Sequence, residues 1–190
     1  AEVAKANGAR VVFEPFNQIA ASRNAAGRAA KGEWLVFVDA DTRVSLMLFR
    51  EMMRTMARDD CLGGGCPVVF DSGPWLARQT VILWNTAGRV MRWAAGSFLF
   101  CRASAFHDLG GFSQDWFAAE EVEYCIRLNR LGRRLAKRMV ILNQPVISSG
   151  RKVLALFSRQ NLLHGLEAIA TFGEALKNRD NCAYWYNPER

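Results

Sequence analysis

A three-layer α/β/α domain, built on a mostly parallel sheet and followed by a helical C-terminal tail, is the fold class the sequence predicts. Three observations carry that expectation. The run Trp34 to Val38, "WLVFV", has no polar alternation, so it reads as a strand covered on both faces, as in a parallel sheet. Strand-like and helix-like segments alternate β-α-β-α-β along the first half of the chain. At 190 residues, 51% apolar and 23% charged, the chain is long and apolar enough to bury one substantial core.

The elements follow in order. "RVVFE" (Arg10 to Glu14) is a short apolar, β-branched run, a strand candidate. "QIAASRNAAGRAAKG" is alanine-rich and closes at Gly32, a residue type common just past a helix end. After the strand at Trp34, "SLMLFREMMRTMA" carries Leu46, Phe49, Met52, Met53 and Met56 at helical spacing, a stripe that predicts a core face. Gly63 to Gly65 reads as a turn leading into the strand "CPVVF" (Cys66 to Phe70), and "SFLFCR" (Ser97 to Arg102) as a further strand. A short helix then stops at Gly110-Gly111, and "WFAAEEVEYCIRLNRLG" forms a helix ending at Gly132. "MVIL" and "PVIS" are short strands. From Val153 to about Lys177 the chain reads as helical, with Leu154, Phe157, Leu162, Leu166 and Ile169 available for one face. The expected division is a domain over residues 1–150 and a helical extension over 151–190 packed on it. There is no internal repeat and no low-complexity segment.

Several function classes recede on composition. No run approaches the roughly 20 uninterrupted apolar residues that span a bilayer, and "AEVAKANGAR" lacks the apolar centre of a signal peptide. Five scattered cysteines form no paired framework; they predict small core thiols, a reducing compartment and a cytoplasmic location. Cys61 and Cys66, without a second pair, are a weak zinc signal. His107 and His164 sit in expected helices with no second histidine at metal spacing. The net charge is +7, and "RLNRLGRRLAKR" concentrates six cations with no acid between them. A solvated helix end accounts for that run; phospholipid headgroups or a phosphorylated substrate would also answer it. Nucleic acid is not expected, because exposed aromatics do not interleave the cations. Trp75, Trp84 and Trp93 accompany Arg78, Arg89 and Arg92, a mixture found where a protein touches the inner face of a membrane, although tryptophans are also ordinary core residues.

Two acidic clusters carry the chemistry. Asp39 and Asp41 follow the apolar strand directly. In open α/β sheets ligands bind beyond the carboxyl ends of the strands, and residues two apart there point to one side. Two like charges repel unless a cation or proton lies between them. Hard cations such as Mg²⁺ and Mn²⁺ use one or two carboxylates together with substrate phosphates. Asp39-Ala40-Asp41 therefore reads as a metal and phosphate site, with a turn or the cap of the helix from Ser45 as the structural alternative. Glu120, Glu121 and Glu123 open a later helix. Acids in a first turn suit the positive helix pole, and a carboxylate there also serves to abstract a proton in group transfer.

The residues resemble family-2 glycosyltransferases. "ASRNAAGRAAKGEWLVFVDADT" is similar to the segment that runs through a small-residue helix into the D-x-D strand. "GSFLFCRASAFHDLGGF" resembles the acceptor-side strand, helix and double-glycine turn, here Gly110-Gly111. "AAEEVEYCIRLNRLG" resembles the E-D-x-D helix. "PVISSGRK" and the terminal "DNCAYWYNPER" are similar to a bacterial branch of the family. The resemblance implies a GT-A fold, a nucleotide-diphospho-sugar donor and a divalent metal, Mn²⁺ or Mg²⁺. By position it implies Asp39 near the ribose or metal, Asp41 on the metal, Arg23 and Arg151 near the nucleotide, Glu121 as the base of an inverting displacement and Glu120 beside it positioning the acceptor. The acceptor class implied is a glycan or a lipid-linked hydroxyl.

The sequence departs from that family at two places. The base position is usually Asp; Glu121 extends the carboxylate by about 1 Å, and a misplacement of that size changes rates by on the order of 10²-fold. The likeness also begins at what resembles the family's second βα unit, so a fragment or an N-terminally divergent member is expected, with an open inner sheet edge. A nucleotidyltransferase of related sheet and a non-catalytic relative are the alternative readings.

Overall fold

The computed structural model describes residues 1–150, 171, 173–182 and 186. The element order is α1 (Glu2–Ala6), α2 (Ile19–Ala29), β1 (Trp34–Val38), β2 (Thr42–Arg43), α3 (Leu46–Met56), β3 (Cys61–Gly65), β4 (Val68–Phe70), α4 (Trp75–Met91), β5 (Phe98–Arg102), α5 (Ala103–Asp108), α6 (Glu120–Arg134), β6 (Arg138–Ile141) and β7 (Val146–Ser148). Two short 3₁₀ turns follow, at Glu174–Lys177 and Asp180–Cys182.

The central sheet has the order β1-β5-β3-β6, and a three-stranded sheet has the order β2-β7-β4. Strand β5 sorts the core. Its alternate residues Leu99 and Cys101 face one cluster with Leu35, Phe37, Phe106, Tyr124 and Leu128. Phe98 and Phe100 face a second cluster with Leu48, Met52, Val68 and Val146. That is the period-two alternation of a strand covered on both faces. Helices α2, α5 and α6 pack on one side, and α3, α4 and the small sheet on the other. The architecture is thus a layered α/β one.

Several local expectations are corrected. The sheet is not mostly parallel: β1–β5 and β3–β5 are antiparallel, and only β3–β6 is parallel in the central sheet. Nor is "WLVFV" covered on both faces: Leu35 and Phe37 are buried while Val36 and Val38 are exposed, so an unbroken apolar run fixes neither the burial of its second face nor the direction of its neighbour. Gly63 to Gly65 is not a turn but the buried inner half of β3. The glycines are there because neighbours approach too closely for side chains: a Cβ on Gly63 would lie 2.7 Å from the Phe100 carbonyl oxygen, and one on Gly64 would collide with the Val140 carbonyl oxygen. "RVVFE" forms no strand; Val12 and Phe13 are exposed and no described residue pairs with the run. The expected core stripe of α3 mostly fails. Only Met52 of it is buried and Met56 is partly so, while Leu46, Phe49 and Met53 face outward; the helix buries Leu48, outside the stripe, instead. The Ser45 hydroxyl caps this helix, accepting from the Leu48 N–H at 3.1 Å, so neither Asp41 nor Thr42 has that role.

Strands β5, β6 and β7 and helices α2, α5 and α6 stand close to where the sequence puts them, with α2 ending at Ala29, before Gly32; α1, β2 and the 17-residue α4 are additions to the expected elements, and β4 is the shorter Val68–Phe70. All five cysteines are free thiols and buried. Strand β1 is an outer strand of its sheet, with Val36 and Val38 exposed. No helix among the described residues is long and apolar enough to cross a membrane. The expected tail helix from Val153 falls largely, and His164 wholly, outside the described residues. The parts of the tail that are described lie against the loop before α6. The Phe117 N–H donates to the Leu176 carbonyl at 2.9 Å, and the Tyr186 hydroxyl donates to the Phe117 carbonyl at 2.7 Å.

Candidate active site

Arg23 is the hub. It sits on α2, on the face turned toward the sheet, with its side chain 12% exposed. Its guanidinium donates to Glu120 Oε1 at 2.6 Å, to Asp39 Oδ1 at 3.2 Å and to the Gly96 carbonyl at 2.8 Å. One cation thus ties together the helix before β1, the residue after β1, the loop two residues before β5 and the start of α6. Burial opposes the charge on Arg23, but Glu120, Glu121 and Asp39 together hold its pKa above the ordinary value.

Glu120 and Glu121 open α6 from Ala119, whose backbone is left-handed at φ 58°. Glu120 is buried, 3% exposed. Burial, reinforced by the adjacent Glu121, pushes its carboxyl up to about 7 despite the opposing pull of Arg23. Glu121 is half-buried and lies against Gly96; a Cβ on that glycine would come within 3.2 Å of its carboxyl carbon. Burial raises its pKa as well, while Arg23 and the Gly96 backbone amide act to lower it. Both carboxyls are thus raised by burial and pulled back by Arg23, an environment of the kind found in acid–base sites.

Asp39 and Asp41 leave β1 on the exposed side. The Asp39 N–H donates to the Ser97 carbonyl at 3.2 Å, and its carboxylate, 46% exposed, takes the outer nitrogen of Arg23. Asp41 is exposed and makes no ion pair among the described residues. The described residues hold no group of three or more His, Cys, Asp and Glu that would bind a metal unaided. A hard divalent cation that takes most of its oxygens from a diphosphate and water needs only one or two carboxylates. The unpaired Asp41 with the outer face of Asp39 fits that requirement.

Gly110 and Gly111 belong to the frame around the site. Both have left-handed backbones, φ 72° and 79°. The side-chain amide of Asn24 donates to the Phe112 carbonyl and accepts from the Phe112 N–H, each at 2.8 Å. From the other side Arg127, paired with Glu123 at 2.6 Å, donates to the carbonyls of Leu109 and Gly111. Glu123 therefore serves this clamp. The turn joins α2 to α6 and so sets the distance between Arg23 and the two glutamates.

Arg151 lies outside the described residues. The pairing of Thr42 with Ser148 does bring Ser149 and Gly150 to the Asp41 end of β2. Reading the sequence by charge missed Gly96 and Ser97. The Gly96 carbonyl accepts from Arg23, and the missing side chain leaves the room that Arg23 and Glu121 occupy. The Ser97 hydroxyl is buried without a partner among the described residues, one position from that contact. The small-residue run "AAGS" was the available signal, since a side chain at Gly96 would meet Arg23 at 3.1 Å.

The model for "Glycosyl transferase family 2" matches residues 1–118. The chain belongs to this family. The match includes Arg23, Asp39 and Asp41 and stops just short of Glu120. No curated protein matches the chain. Among solved structures it is similar to a mannosyltransferase from Pyrobaculum calidifontis, determined in complex with GDP-Man and Mn²⁺. That likeness has a TM-score of 0.59 at 19% identity, and covers 85% of this chain and 47% of the other. The family-2 chain described here thus spans about half the length of that mannosyltransferase, and the likeness at this identity establishes the fold.

Proposed function

We propose that this family-2 chain carries the catalytic centre of an inverting glycosyltransferase, with a nucleotide-diphospho-sugar donor bound over Asp39 and Asp41 and an acceptor hydroxyl delivered to Glu121. The single observation that carries the reading is the Arg23 hub. It gathers the β1 carboxylate and the α6 carboxylates into one site, where the sequence separates them widely.

The division of labour follows from the contacts. Glu120 is buried and its Oε1 is engaged by Arg23, so it fixes geometry. Burial raises both carboxyls, so accessibility separates them: Glu121 is only half-buried and free of the Arg23 bond, which leaves it able to reach an acceptor hydroxyl. Glu121 takes the proton of the acceptor hydroxyl. The hydroxyl oxygen forms a bond to the anomeric carbon as the bond from that carbon to the diphosphate oxygen breaks, and the electron pair leaves with the nucleoside diphosphate. One displacement inverts the anomeric centre. A divalent cation, held by Asp41 with Asp39, would neutralise the charge that develops on the departing diphosphate. The GDP-Man and Mn²⁺ held in the similar mannosyltransferase complex support that assignment. The bacterial assignment and the cytoplasmic location stay with this reading, on the tail motifs and the free thiols.

The test is release of nucleoside diphosphate from a panel of nucleotide sugars, with water as the slow acceptor. Glu121→Gln should reduce release by on the order of 10²-fold or more, and Glu120→Gln should also reduce it, through misplaced Arg23. Release that is unchanged in Glu121→Gln would remove that residue from the chemistry.

A further inference from the structure

Helix α4 is apolar on two opposite sides. Inward, Val81 and Trp84 pack on the second core cluster, and the Asn85 amide pins the helix to the edge of β4, accepting from the Val68 N–H at 3.0 Å and donating to its carbonyl at 2.8 Å. Outward, Trp75, Leu76, Ile82, Leu83 and Val90 are exposed, Trp75 by 69%, Leu83 by 71% and Val90 by 75%. Positions 75, 82, 83 and 90 recur at spacings of seven and eight, so they form one stripe rather than scattered surface residues. A helix apolar all round is ordinarily buried, and a contiguous exposed stripe of this kind marks a contact surface.

The charge around the stripe identifies what covers it. Residues 72 to 107 contain no Asp or Glu. Arg78 and Arg89 flank the stripe, and Arg92 ends the helix with a left-handed backbone. The Asn129 amide donates to the Arg92 carbonyl at 3.0 Å, which brings the face of α6 that carries Arg133 to the same end. None of these arginines pairs with a carboxylate among the described residues.

We propose that the outward face of α4 docks this chain on an anionic lipid surface, with Trp75, Ile82, Leu83 and Val90 entering the interface and the arginines meeting headgroup phosphates. An apolar face bearing Trp and Leu beside arginines is the pattern of a helix lying in the membrane plane. It lies on the surface and does not cross it, since its other side is packed on the core. A second copy of the chain answers the stripe less well, because a two-fold contact along α4 sets arginines against arginines with no acid on the helix to pair them. The inference stands apart from the reaction assigned above.

The experiment is co-sedimentation of the full chain with sucrose-loaded vesicles, phosphatidylcholine alone or mixed with phosphatidylglycerol, at low and high salt. The chain should bind the mixed vesicles and be released by salt. Ile82→Glu with Leu83→Glu, both exposed positions, should lower partitioning at least tenfold with unchanged circular dichroism. Arg78→Gln and Arg133→Gln should each lower it about fivefold. No binding by the unaltered chain, or binding indifferent to the Ile82/Leu83 change, would overturn the proposal. A dimer seen by light scattering that the same double change dissolves, without vesicle binding, would assign the stripe to a second copy instead.

Discussion

Replacing Arg23 with methionine keeps a long apolar stem in α2 and removes the guanidinium that Glu120, Asp39 and the Gly96 carbonyl all hold. Glu120 is 3% exposed, so its carboxylate has no water to turn to. Breaking a buried pair costs roughly 3–5 kcal/mol when the remaining charge stays in place. A proton offers an escape. With Arg23 present the Glu120 carboxyl already stands near 7, against an ordinary value of 4.5. Between those two values the folded chain binds more protons than the unfolded one, so the unaltered protein loses stability as pH rises from about 4.5 to about 7. The shift corresponds to at most about 3 kcal/mol at about 1.4 kcal/mol per unit. Without Arg23, which lowers the Glu120 value, that decline should continue to higher pH.

The expected loss in Arg23→Met is therefore about 3 kcal/mol at pH ~8.5, where the glutamates must ionise in the absence of a partner. At pH ~5 Glu120 is protonated with or without Arg23, and the loss falls to about 1 kcal/mol, the worth of the bond to Gly96 and the weakly screened pair with Asp39. Urea denaturation of both proteins at the two pH values measures the difference. Equal losses at both pH values would refute the reasoning, because the hub would then be held by packing and not by charge.

Three further outcomes follow from the same geometry. Asp41→Ala leaves the fold untouched, since its side chain is exposed and unpaired, and its melting temperature should stay within a degree or two; thermal unfolding checks this. Gly64→Ala should destabilise by about 2 kcal/mol or more, because the added methyl meets the Val140 carbonyl inside a four-stranded sheet; a soluble variant of unchanged denaturation midpoint would contradict it. Asn24→Ala should cost about 2 kcal/mol by orphaning both backbone groups of Phe112, and should lower nucleoside diphosphate release although Asn24 touches no substrate, because Gly110-Gly111 then drifts relative to Arg23. Release at the parental rate would show that the double-glycine turn does not position the site.

The sequence made the periodic elements legible. Strand β1, the helices α2, α3 and α6, and the order in which they alternate are all set by local apolar spacing. The two acid clusters stand out in the sequence as well, because acids follow a fully apolar strand and open a later helix. What local pattern does not carry is pairing partner and approach distance. "CLGGG" looks like a turn until Phe100 and Val140 are seen to press on it. "RVVFE" looks like a strand, but apolar, β-branched composition forms a strand only where a neighbour pairs with it. The Met stripe of α3 and the tryptophans of α4 show that helical spacing defines a face without saying what covers it: Trp84 packs inward, and Trp75 does not. Arg23 was named through likeness alone; its hold on Glu120, 97 residues away in the chain, is a tertiary fact.

The central claim is that Asp39 and Asp41 receive the diphosphate of a nucleotide sugar. Calorimetric titration of UDP, GDP and the deoxythymidine analogue into the chain, with and without Mn²⁺ and repeated on Asp41→Ala, tests it most directly. The account predicts binding of one of these nucleotides that requires the metal and is lost in Asp41→Ala. Binding that is indifferent both to Mn²⁺ and to Asp41→Ala would contradict it and move the donor away from the end of β1.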